Sequence, residues 1–272
     1  MNIKIILNED ILIWYLLFKQ SISKELNEEK QKIWYNYKEC YNDLFKEQKI
    51  LLKDPKNYIP NDDTIYNIVK ELSIYDNIYK YTEKYKLTLV KNWDTLKKEL
   101  RSIIKMDIND YDIYLVDPRL NTCVYLNKLN TNTLIYGVKK TNSRDEILDL
   151  MYHLVRIKLE KYYKKNKDIT MAVIELAIKN ELATRISGRS HYLEGNETLK
   201  LIKRKIYPYF LMYLGVSKKD FIKYMKRDGI IFDNDYYEYR KELKRMDIGK
   251  FIDFCIKLSK EKVKETKTLE II

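Results

Sequence analysis

Asp149 and His153 stand four residues apart, and Glu175 follows further along the chain. Brought together, one imidazole and two carboxylates make a donor set for a divalent cation, and equally a hydrogen-bond network with no metal in it. A second set is cationic: Lys200, Lys203, Arg204, Lys205, Lys218, Lys219, Lys223, Lys226 and Arg227 crowd the C-terminal third. Ammonium and guanidinium groups at that density suit nucleic-acid phosphate or another polyanion. Each set can act only if the elements that carry it aim the side chains together.

Two consecutive helices carry the first set. Ser143 stands three residues before Glu146 and ahead of an apolar run, the capping-box pattern that starts a helix. With the phase set there, Ile147, Leu150, Met151, Leu154 and Val155 fall on a broad apolar face, while Asp149, His153, Arg156 and Glu160 share a narrow polar stripe. The second helix, over residues 169–187, is apolar on nearly every side and closes at Gly188. On its wheel Glu175 sits between Met171, Ile178 and Leu182, so its carboxylate points into protein and needs a partner. Lys179 is at the right spacing for Glu175, as Arg185 is for Glu181.

A weak strand over residues 133–139, a helix with His153 at its middle and a buried helix bearing Glu175 together resemble the zincin-like metallopeptidase core of the gluzincin type. In that family a His-Glu-x-x-His helix supplies two zinc ligands and a general base, and a glutamate on the next helix supplies the third ligand. The matching positions here are Asp149, Leu150, His153 and Glu175, and two of them depart from the pattern. Leu150 cannot take a proton from a metal-bound water, so the resemblance implies a scaffold without the family's hydrolysis. Asp149, His153 and Glu175 remain as a degenerate site able to take a divalent ion, the one cofactor the resemblance suggests. The competing reading is that this stripe is structural polar packing, with His153 bonded to Asp149 or Glu175.

Composition sets the frame. Of 272 residues, 45% are hydrophobic and 34% charged, which fits a globular chain and excludes a disordered one. Only 6 Gly and 4 Pro point to a mostly helical protein. The net charge of +12 comes chiefly from lysine, a bias that an AT-rich coding sequence can produce without selection for function. It is also uneven: residues 1–100 hold 17 basic against 16 acidic groups, and residues 196–272 hold 19 against 12. Cys40, Cys123 and Cys255 form no Cys-x-x-Cys pair and read as thiols of a reducing compartment. The longest apolar run, ILIWYLLF at residues 11–18, is too short to span a bilayer, and with no cleavable leader the reading is cytoplasmic, with no membrane partner.

The remaining chain supplies supports. Residues 1–7 make a strand or lead directly into a helix capped by Asn8. Helical patterns follow over residues 23–53, after Asp63, and over residues 76–105. The period then drops to two in YDIYLV (111–116), TCVYL (122–126) and TLIYGV (133–138), separated by DPRLN and NKLNTN, which predicts a small, largely antiparallel sheet. Past a loop holding His191, the pattern predicts a helix over residues 198–207 stopped by Pro208, another beginning at Ser217, two more over 235–246 and 248–264, and a frayed tail. The acidic group Asp233, Asp235 and Glu238 lacks the glycine and terminal glutamate of a calcium loop and reads as a turn.

The fold expected is therefore α+β and predominantly α-helical. Its parts are a helical region over 1–105, a zincin-like core over 106–190 and a basic helical region over 191–272, or all three in one compact domain. The function expected first is a catalytically inactive zincin-like protein that binds or regulates a protein partner. The alternative is a basic helical protein that binds nucleic acid or another polyanion through the nine C-terminal cations. A metal-dependent hydrolase using Asp149, His153 and Glu175 ranks third.

Overall fold

A computed structural model describes residues 3–60, 64–70, 75–91, 93–126, 132–138, 140, 143–187, 197–232 and 236–269. The side chain of Ser143, the caps expected at Asp63 and Gly188, His191, and the acidic turn at Asp233 and Asp235 lie outside the described residues. The chain folds as two units, one of residues 1–93 with 109–147, the other of residues 94–108 with 148–272. The boundary between Ile147 and Leu148 thus falls inside the segment 106–190, within a single helix.

The first unit begins with β1 (Ile3–Ile6), α1 (Glu9–Phe18), α2 (Lys24–Asn36), α3 (Tyr41–Leu51), α4 (Thr64–Lys70) and α5 (Tyr75–Lys91). Both readings of the N-terminus hold in turn, because β1 ends just before Asn8, whose side chain accepts from Ile11 N at 2.8 Å and starts α1. Ser23 caps α2 in the same way, with its hydroxyl 3.4 Å from Leu26 N. The helix expected over 23–53 is broken between Asn36 and Tyr41. After that break Tyr41 and Phe45 pack with Phe18 and Trp34, whose ring centroids lie 4.7–5.7 Å from one another's neighbours in the set. Helix α1 is buried on every side from Ile11 to Leu17 and forms the centre of this unit's core.

The chain passes through α6 (Trp93–Ile104) and returns for β2 (Tyr111–Leu115), β3 (Thr122–Leu126) and β4 (Thr133–Gly137). The strand positions match the alternation in the sequence, but the sheet is mostly parallel, in the order β1-β2-β4-β3. β1 pairs with β2 and β2 with β4 in parallel, and only β3 and β4 are antiparallel. The expected antiparallel sheet fails at DPRLN. Asp117 accepts from Arg119 N at 2.7 Å and Asn121 turns left-handed, which makes a one-turn 3-10 helix and not a hairpin. β3 therefore lands on the edge, and β4 fills the place beside β2. Gly137 is required there, since a Cβ would stand 2.5 Å from Val116 O.

Helix α7 (Ser143–Lys158) leads into the second unit, followed by α8 (Glu160–Lys165), α9 (Lys167–Glu175), a π-helical stretch (Leu176–Leu182) and α10 (Ala183–Ser187). The last three continue one another as the apolar helix that the sequence predicts. Then come α11 (Lys200–Leu214), α12 (Lys218–Arg227), α13 (Tyr236–Leu243) and α14 (Ile248–Leu269). Two expectations are corrected here. Pro208 lies inside α11, where it removes a backbone donor at a cost of about 3 kcal/mol, and the burial of Ile206, Tyr207, Tyr209, Phe210, Met212 and Tyr213 outweighs it. The tail expected to fray continues α14 as far as Leu269. Helix makes up 70% of the described residues, and with one small mixed sheet the class is α+β, predominantly helical. No helix among the described residues is long and apolar enough to cross a membrane.

Candidate functional site

Three of the four residues expected on one polar stripe, Asp149, His153 and Arg156, lie on α7, whereas Glu160 begins α8. His153 Nε2 lies 3.4 Å from Asp149 Oδ2, and both side chains are largely covered. Leu150, the residue that the zincin resemblance would align with a general base, is fully buried. Glu175 is buried at the end of α9, and each of its carboxylate oxygens holds a lysine: Lys179 donates to Oε1 and Lys203 to Oε2, both at 3.0 Å. Lys203 is as inaccessible as Glu175, each side chain at 1% exposure, whereas Lys179 is at 39%. On α7, Tyr152 lies in the field of Glu175, and Lys179 Nζ sits over its ring at 5.3 Å. Burial first and the Glu175 charge second push the Tyr152 hydroxyl up to about 12.

This geometry decides what Glu175 can do. Burial pushes its carboxyl up, but hydrogen bonds and charge from Lys203 and Lys179 outweigh that and hold it below the ordinary carboxylate range. With an ammonium on each oxygen the Glu175 charge is already compensated from within the protein, and among the described residues no three His, Cys, Asp or Glu are grouped to hold a metal ion. The donors present therefore do not fit the divalent ion that the zincin resemblance implies.

Lys203 belongs to this buried cluster and not to a polyanion surface. Its wheel position shows why: Leu199, Ile206, Tyr207 and Phe210 flank it at helical spacing and are all buried. The other eight cations of the predicted set keep some exposure. Lys200, Lys205, Lys218, Lys219, Lys223 and Lys226 are exposed, and Arg204 and Arg227 half-buried. Arg204 donates to Gly229 O at 3.0 Å, and Arg227 pairs with Asp228 at 2.9 Å. On α12, Lys219, Lys223 and Lys226 recur at i, i+4 and i+7 opposite the buried Phe221 and Met225. The acid on that turn, Asp220, accepts from Ser217 Oγ at 2.6 Å.

A cationic feature outside the predicted set lies at the end of α13. Arg240, Lys241, Lys244 and Arg245 line a cleft of about 560 Å3. The C-terminal end of α11 positions it. Gly215, with φ at 77°, leaves room for the Lys244 stem, and Arg240 lies 3.4 Å from Gly215 O and Val216 O. Lys105 Nζ donates to Tyr213 O, and at 3.0 Å to Lys244 O, so one ammonium joins the ends of α11 and α13. Burial, and then the Lys244 charge, lower the Lys105 ammonium to about 8. The run RKELKR was visible in the sequence, but Gly215 and Lys105, which aim it, come from elsewhere in the chain.

Cys40, Cys123 and Cys255 form no disulfide with one another, and burial pushes the Cys255 thiol well up, away from reactivity. Compared with protein-family models, with curated proteins and with solved structures, the chain matches none.

Proposed function

We propose that this protein is a non-catalytic binding module whose helical second unit holds nucleic acid by its phosphate backbone. The observation that carries the reading is the α12 stripe of Lys219, Lys223 and Lys226, solvent-facing on an amphipathic helix whose other face is core. Such a stripe offers charge without base-reading side chains, so affinity follows phosphate number and not sequence. Zincin-like ancestry is compatible with it. Leu150 at the general-base position and a Glu175 engaged by two lysines support a scaffold that works by binding, and a residual hydrolase would need that carboxylate back. A cytoplasmic location belongs to the same proposal.

The test is a titration of labelled single-stranded RNA and DNA. Affinity is expected to fall at least about tenfold between about 50 mM and about 200 mM salt, as about three phosphate contacts require. Binding that ignores salt, or none to either nucleic acid, removes this reading and leaves a scaffold that acts through a protein partner.

A further inference from the structure

We infer that the α13 cleft is a discrete site for an oligophosphate group, a diphosphate or triphosphate that is either free or carried at the end of a nucleic-acid strand. The inference rests on the nucleic-acid reading only for the second of those sources. Three observations carry it. Among the described residues, those that line the cleft are Arg240, Lys241, Lys244 and Arg245, of which Lys241, Lys244 and Arg245 are exposed. Its volume, about 560 Å3, suits a compact ligand, and the three exposed cations Lys241, Lys244 and Arg245 suit adjacent phosphates, whereas a continuous backbone passes such a recess with one phosphate at a time. Finally, the cleft is held open by fixed groups: Arg240 rests on the carbonyls that end α11, the Lys244 stem crosses Gly215, and Lys105 holds the Lys244 carbonyl. Exposed Lys241 and Arg245 stand on a frame that does not need the ligand to form. A neighbouring cleft of about 450 Å3 shares Lys241 and Arg245 and adds Lys250 and Glu242, so the mixed-charge side is where a less charged portion of the ligand would leave.

Arginine pairs two donors with two phosphate oxygens, and the lysines add point charge, so adjacent phosphates are favoured over isolated ones. No bond is made or broken at this site.

The probe is inorganic tripolyphosphate, titrated calorimetrically into the full-length chain beside orthophosphate at equal ionic strength. Tripolyphosphate is expected to bind at least tenfold more tightly. Lys241→Glu with Arg245→Glu, which leaves Arg240 and Lys244 in their structural contacts, is expected to weaken it at least tenfold. Lys219→Glu, Lys223→Glu and Lys226→Glu together are expected to weaken it less than the cleft variant does. Equal binding of the two probes, or loss in the α12 variant with none in the cleft variant, overturns the site. RNA with a 5′-triphosphate that binds more tightly than the same RNA with a 5′-hydroxyl, only when the cleft is intact, identifies a strand end as the source. Equal binding of the two RNAs, with tripolyphosphate still held, identifies a free oligophosphate. Failure of 5′-hydroxyl RNA to bind at any salt refutes the nucleic-acid reading while leaving the cleft standing.

Discussion

The Glu175 cluster and the α13 cleft both gather lysine on helices of the same unit, and they handle its charge in opposite ways. Around Glu175 the carboxylate lies between two ammonium groups at 3.0 Å, and Lys203 has no access to solvent. Around α13 the exposed Lys241, Lys244 and Arg245 face an open cleft, and Arg240 and Lys105 reach backbone carbonyls beside it. A charge removed from water must find its counter-charge inside the protein, because an unpaired one costs several kcal/mol. An exposed charge can wait for a ligand. Lysine number is thus a poor guide to where this protein binds, and the presence of an internal counter-ion is a better one.

The largest effect should come from breaking the closed cluster. Lys203→Met leaves Glu175 buried without its inaccessible ammonium partner, and stability measured by urea denaturation should fall by about 3–5 kcal/mol. Adding Glu175→Met to that variant should restore most of the loss, since two apolar side chains replace a pair that no longer needs its charges. Lys179→Ala should cost less than about 1 kcal/mol, because solvent screens that contact.

The same cluster sets an acid limb. Glu175 titrates below its unfolded value of about 4.3, so its contribution is complete above that pH and is lost as pH falls through the lower folded value. Unfolding followed from pH 6 to pH 2 should therefore be less steep in Glu175→Gln than in the parent, although Glu175→Gln starts from lower stability.

Lys105 gives a contrasting limb. Its ammonium is lowered to about 8, so between pH 8 and the unfolded lysine value of about 10.4 the unfolded chain holds more protons and stability should rise with pH. Lys30, buried and bonded to Lys19 O at 2.5 Å, is lowered to about 8 as well and contributes in the same direction. Lys105→Met should reduce the rise without abolishing it, as read from denaturation midpoints across that range.

The smallest expected effect is none. Chelator should leave the thermal midpoint unchanged, and protein purified without chelator should carry no stoichiometric metal, because two lysines already compensate the Glu175 charge and a cation beside them would be repelled. A drop of several degrees on chelation would show that Asp149, His153 and Glu175 bind a metal ion in solution.

Much of this was legible beforehand. β2, β3 and β4 stand where the two-residue period placed them, because alternation and turn residues are local signals. Their parallel sense was not legible, since it depends on β1 arriving from the other end of the chain and on β4 being inserted between β2 and β3. Pro208 misled for a related reason: its local penalty is readable, whereas the buried aromatic face that overrides it is a tertiary fact. Glu175 was correctly expected to be buried and in need of a partner, and its i+4 lysine was found. Lys203 could have been found too. It lies on the apolar side of its own helix, so pairing a misplaced base with a misplaced acid would have joined them without coordinates. The α13 cleft could not have been found this way, because Lys105 and Gly215 shape it across gaps of more than twenty residues.

Lys203→Met and the triple variant Lys219→Glu, Lys223→Glu, Lys226→Glu, taken side by side through the salt dependence of single-stranded RNA binding, test the division between compensated and waiting charge most directly. The account predicts that Lys203→Met keeps the parent slope despite its lost stability, while the triple variant keeps the parent stability and loses about two units of slope, three phosphate contacts at about 0.7 each. A Lys203→Met protein that remains folded yet loses its salt-sensitive binding, beside a triple variant that retains it, would contradict the account.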